Sequence, residues 1–248
     1  MTDLSTGQSP LEQFAIKRLY EIHIGGVDVS ITNSAVFMLV AIALVTAFLT
    51  LGMRQHALIP GRWQSMVELS YEFIAKMVRD NVGSDGMRYF PFVFTLFMFI
   101  LFSNLIGMVP FTFTVTSHII VTFVMAAVVF IGVTIIGFVR HGTHFLKLFV
   151  PAGVPIFLLP LLVLIELLSY LTRPISLSVR LFANMMAGHT MLKVFGGFVV
   201  ALGVLAGWAP LAFVVALTGL EIGIAILQAY VFAILTCIYL NDAINLHH

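Results

Sequence analysis

Arg173-Pro174-Ile175-Ser176-Leu177-Ser178-Val179-Arg180-Leu181-Phe182-Ala183-Asn184-Met185-Met186-Ala187-Gly188-His189 puts two arginines and a histidine inside a long apolar run. The surrounding stretch, 155–192, is mostly Leu, Ile, Val, Met and Phe, with Glu166 and Ser169 as further polar positions. Wound as a helix at 100° per residue, Glu166, Ser169, Arg173, Ser176, Arg180 and Asn184 share a sector of roughly 80°. The rest of that helix is compatible with lipid. A soluble amphipathic helix has the opposite balance, a charged majority and an apolar stripe, so this stretch reads as a membrane helix with a polar seam.

The whole chain agrees. Of 248 residues, 60% are hydrophobic and 9% charged, where a soluble domain has about 45–50% and about 25%. One cysteine, Cys237, excludes a disulfide scaffold and reads as a small apolar residue of the last helix. A formal net charge of +1 excludes a basic nucleic-acid binder. About 20 apolar residues cross a ~30 Å hydrocarbon core as a helix, and the segments do not alternate as barrel strands would. The expected fold is an all-α polytopic membrane protein. An N-terminal external segment, 1–33, leads into a single membrane domain, 34–248, with spans at 34–53, 89–111 and 118–139 and a long helix pair at 155–192 and 199–240. As continuous helices the last two would be roughly 55–60 Å long. They must therefore either break, with Pro174 and Pro210 as candidates, or lie strongly tilted.

Residues 63–80 differ. Trp63, Met66, Val67, Phe73, Ile74, Met77 and Val78 fall on one helical face and Glu68, Glu72, Lys76, Arg79 and Asp80 elsewhere. This is the pattern of an interfacial amphipathic helix, or of a helix packed on a partner subunit. The polar start of the chain, Met1-Thr2-Asp3-Leu4, is no signal peptide. Arg54, Arg62, Lys76, Arg79, Arg88, Arg140 and Lys147 fall on one side of this topology, which sets that side and the C-terminus inside and the N-terminus outside.

A charge at mid-bilayer costs at least ~2.5–3.5 kcal/mol on insertion scales, so it faces protein or water and is a functional candidate. In 199–240, Glu221 and Gln228 lie two turns apart on one face, which Tyr239 continues. Setting the two long helices antiparallel with Arg180 level with Gln228 brings His189 near Glu221 and Glu166 level with Asp242. Such groups can be satisfied polar residues that fix helix packing. That reading is weakest for Arg180, which stays protonated when buried and has no acid within reach on its own helix. Asn104, in the second span, is a further candidate.

The run 173–189 closely resembles the signature of subunit a of the F-type ATP synthase. Leu227-Gln228-Ala229-Tyr230-Val231-Phe232 and Tyr239-Leu240-Asn241-Asp242 resemble that family's last helix, and Asn104-Leu105-Ile106-Gly107-Met108-Val109-Pro110 its second-span motif. His189 combined with Glu221 is similar to mitochondrial and alphaproteobacterial members. Ala183 stands where the family commonly has Gly. The resemblance implies a stator working against a ring of c subunits, held by the peripheral-stalk subunit b and by membrane lipid, with no cofactor and no nucleotide site. It implies Arg180 as the essential residue facing the c-ring carboxyls. Asn184 and Gln228 would stand beside it, with His189, Glu221 and Asn104 lining an outer half-channel and Glu166 and Ser169 an inner one. The membrane would be a bacterial inner membrane, favoured by the long polar N-terminal segment, or the mitochondrial inner membrane.

Two rival classes predict other features. A stand-alone transporter predicts an internal repeat, and none is visible in the sequence. A membrane enzyme would use His141 and His144 as an HxxH pair, which no paired acid or cysteine completes into a metal site.

Overall fold

A computed structural model describes residues 16, 18–20, 23–24, 27–28, 30–54, 60–109, 112–150 and 157–245. Most of the expected segment 1–33, the end of the expected second span at 110–111, and 155–156 lie outside the described residues. The helices are α1 (Asn33–Gly52), α2 (Arg62–Val82), α3 (Phe90–Gly107), α4 (Ile119–His141), α5 (Leu159–Ala206) and α6 (Trp208–Ile244). Short 3-10 turns at Ser84–Tyr89 and Val115–Ser117 flank α3, and a third at Gly142–Phe149 follows α4. Four strands of two or three residues precede α1 and were not expected. Arg18–Tyr20 pairs antiparallel with Ile31–Thr32, and His23–Ile24 with Val27–Asp28. They leave the architecture all-α. Thr32 then caps α1, its hydroxyl accepting from the Ala35 N–H.

Among the described residues five helices are long and apolar enough to cross a membrane, α2 being the exception. α6 is the centre of the bundle and touches α2, α3, α4 and α5. Ala225, Ala229, Ala233 and Cys237 are fully buried along it at four-residue spacing, and these small side chains let neighbouring backbones approach closely. Ala229, Ala233 and Cys237 share one buried cluster with Ile74, Met77 and Val78 of α2 and Val93, Phe97 and Ile100 of α3. α2 divides its apolar residues between two surfaces. Val67, Ile74, Met77 and Val78 face the bundle, whereas Trp63, Met66 and Phe73 stay exposed.

The expected break between the long helices at 193–198 is displaced. The segments expected at 155–192 and 199–240 leave 193–198 between them, yet α5 continues through those residues. Phe195 packs on Phe213 of α6 with ring centroids 4.4 Å apart and on Phe198 at 5.9 Å, which holds this turn in place. The helix breaks at Gly203, with φ of 60°, a conformation that costs a residue bearing a Cβ far more than glycine. Pro174 does not break α5, although it removes the bond to the Tyr170 carbonyl. Pro210 falls in the first turn of α6, where the missing N–H has no intrahelical partner to lose. Uninterrupted to Gly203, α5 runs about 68 Å and α6 about 56 Å, each far beyond a ~30 Å hydrocarbon core.

Candidate functional site

Three polar levels lie along the α5–α6 seam. At the first, His189 and Glu221 are 7% and 3% exposed and share a hydrogen bond between Nδ1 and Oε1. His189 Nε2 lies 3.0 Å from the Gly107 carbonyl oxygen at the end of α3. A carbonyl only accepts, so Nε2 carries a proton and the bond from Nδ1 to Glu221 holds a second. Whether that proton sits on nitrogen or oxygen, the pair is net neutral, and moving it changes no overall charge. Glu221 Oε2 is buried with no hydrogen-bond partner among the described residues.

Asn104 lies one turn before Gly107 and is fully buried. Its amide donates to the Ala225 carbonyl at 3.1 Å, and its oxygen accepts from the Thr116 hydroxyl at 2.8 Å. The side chain thus ties α3 to α6 and to the 3-10 turn. Gly188 makes room for the acid, since a Cβ there would stand 2.6 Å from Glu221 Oε1. Beside this level, His118 caps α4 and stacks on Phe113 at 4.8 Å. Its Nε2 is buried without a partner, and burial pushes the imidazole below its usual value.

The middle level holds Arg180, Asn184 and Gln228. Arg180 is exposed on α5 and makes no ion pair or hydrogen bond among the described residues. Ser176, Ala183 and Ala187, also exposed, surround it with small side chains. Apolar Val179, Ile175 and Met191 share the exposed surface of the same helix. Gln228 is buried two turns beyond Glu221, and Asn184 is half-buried one turn beyond Arg180.

At the third level Asp242 pairs with Arg173, whose Nη1 donates to Oδ2 at 2.8 Å, a partner that the expected register, with Glu166 level with Asp242, did not name. Glu166 and Arg173 lie seven residues apart on one face, and charge decides which of them Asp242 binds. Two carboxylates would repel, whereas the guanidinium pairs. Arg173 also sits over the rings of Tyr170 and Tyr239, at 5.3 and 5.1 Å. Thr134 of α4 donates to the Phe130 carbonyl at 2.7 Å, so the Tyr170 phenol donates to Thr134, also at 2.7 Å. Glu166 is half-buried and Ser169 exposed near this end, and neither reaches the upper levels. His141 donates to the Ile244 carbonyl through Nε2 at 2.9 Å. Among the described residues no three metal-capable side chains cluster.

Sequence reasoning missed Gly107 and Ala225, which act through backbone carbonyls, and Thr116 and Thr134, whose hydroxyls show no periodic signal. The partnership of Arg173 with Asp242 was hidden by the seven-residue repeat.

Residues 35–241 match the family described as ATP synthase A chain. The chain is 60% identical over 241 residues to ATP synthase subunit a of Pelagibacter ubique, spanning 97% of this chain and 99% of that protein. It is 60% identical over 245 residues to ATP synthase subunit a of Paramagnetospirillum magneticum, spanning 96% and 99%. It is 59% identical over 239 residues to that of Rhodospirillum rubrum, again spanning 96% and 99%.

Proposed function

Since this chain belongs to the ATP synthase A chain family, we propose that its unpaired Arg180 faces the carboxyls of a c-ring and separates two aqueous half-channels. The chain is a membrane-embedded F0 subunit that moves protons with the c-ring, and nucleotide chemistry belongs elsewhere in the complex. The observation that carries the finer reading is the exposed guanidinium of Arg180, held on an apolar helix face with no acid beside it. A cation there is costly without a counter-charge, and a passing c-subunit carboxylate supplies one. The small side chains of Ser176, Ala183 and Ala187 leave room for a neighbouring helix to approach.

The mechanism follows from charge. A fixed cation favours the ionised form of a nearby carboxyl and lowers its proton affinity, so each carboxyl releases its proton on reaching Arg180. Arginine keeps its own proton and bars a direct hop between the two paths. Asn184 and Gln228 orient the guanidinium or water beside it. The His189–Glu221 pair, able to pass a proton without net charge change, serves the outer path. Asn104 serves that path by holding α3, Thr116 and α6 together. Glu166 and Ser169 serve the inner path, below the Arg173–Asp242 pair. Subunit b and membrane lipid cover the remaining apolar surface. The relatives are bacterial, which supports a bacterial inner membrane.

The test is the assembled complex in inverted vesicles. The tagged chain co-purifies with the c-ring, and Arg180→Ala assembles normally but abolishes ATP-driven acidification. Acidification at the wild-type rate in that variant would overturn the reading.

A further inference from the structure

α5 carries two arginines on one face, seven residues apart, and the structure treats them oppositely. Arg180 is exposed and unpaired among the described residues. Arg173 is held on three sides, by the Asp242 carboxylate at 2.8 Å and by the rings of Tyr170 and Tyr239. Arg173 and Asp242 are 27% and 30% exposed, so this pair is not a deep core tie and its field reaches the α5 surface. The other ionisable groups on that face of α5 are Glu166, one heptad earlier, and Arg180 itself.

We propose that Asp242 is a positioning residue that masks Arg173, so that a carboxyl travelling past α5 meets one uncompensated cation rather than two. This rests on the reading of Arg180 given above. Two helical turns separate the arginines, about 10.5 Å. At an effective dielectric of about 20, a unit charge at that distance changes a carboxyl's proton affinity about tenfold. An unmasked Arg173 would therefore keep the carboxyl ionised on the inner side and hold the ring against its return to lipid.

The test uses the intact complex and the labelling rate of the c-ring carboxyl by dicyclohexylcarbodiimide, which consumes the protonated carboxyl. Asp242→Asn slows labelling up to about tenfold and slows pumping with it. Arg173→Met leaves Asp242 uncompensated and speeds labelling. Arg173→Met with Asp242→Asn, neutral at both positions, returns labelling and pumping toward wild type although the tie between the helices is gone. A purely structural tie predicts instead that all three variants shift in the same direction, the double at least as far as either single. That result, or unchanged labelling in both singles, overturns the proposal. If Asp242→Asn fails to assemble, the sign of the Arg173→Met change decides alone. Arg180→Ala, run alongside, separates the two claims. Wild-type pumping there sinks the reading of Arg180, whereas lost pumping with the single variants unmoved sinks only the masking of Arg173.

Discussion

Gly188→Ala tests the geometry of the His189–Glu221 pair. The added Cβ would lie 2.6 Å from Glu221 Oε1, 2.9 Å from Cδ and 3.2 Å from Cγ, so the whole carboxyl end must move. Gly188 has no positive φ, and steric contact is the only objection to alanine. Glu221 Oε1 holds the bond to His189 while Oε2 has no hydrogen-bond partner among the described residues, so displacement breaks the one hydrogen bond the carboxyl makes among them. Losing a hydrogen bond to a buried polar group costs about 1–3 kcal/mol. A central cost of about 2 kcal/mol lowers the population of the correctly placed pair roughly thirtyfold. ATP-driven acidification should fall steeply in Gly188→Ala while the complex still assembles. Glu221→Asp, one methylene shorter, draws the carboxyl back and should restore part of the activity in the double variant. Gly196→Ala is the control, since nothing lies within 4 Å of its added Cβ and the helix gains up to ~1 kcal/mol. Gly188→Ala pumping as well as Gly196→Ala would refute the steric argument.

Two further outcomes follow from single residues. Asn104→Ala removes both the link to Ala225 and the acceptor for Thr116. It should lower the stability of the detergent-solubilised complex by about 2 kcal/mol, measured by thermal unfolding, whereas Thr116→Ala should cost less. Burial holds His118 below its ordinary value, so below about pH 6.5 the unfolded chain takes up a proton that the folded chain resists. That stability is complete above this pH and is lost as pH falls. His118→Gln should therefore flatten the acid limb of a stability–pH profile, and profiles of equal slope would count against it.

The spans were legible because membrane helices need long apolar windows, and five of them stand out in the composition alone. The polar seam was legible because Arg173, Arg180 and Asn184, like Glu221 and Gln228, repeat with the helix. What failed shows where local signals end. Residues 193–198 were left between the two long segments, but Phe195 against Phe213 is a tertiary contact that no local window contains. The seven-residue repeat put Glu166 and Arg173 on one face of α5, and opposite charge chose Arg173 as the partner of Asp242. His189 was expected near Glu221, and the two are in contact. The carbonyl of Gly107 that fixes the imidazole has no side chain to announce it. α2 read as one apolar face, and only packing against α3 and α6 divides that face into buried and exposed halves.

The central claim is that one permanent cation keeps the two proton paths apart. The most direct measurement is the passive proton conductance of Arg180→Ala vesicles, with the catalytic sector attached and no nucleotide present, so that the ring cannot turn freely. The account expects conductance well above wild type in that state, because protons then cross between the paths without rotation. Conductance equal to wild type, in a variant that still assembles, would contradict it.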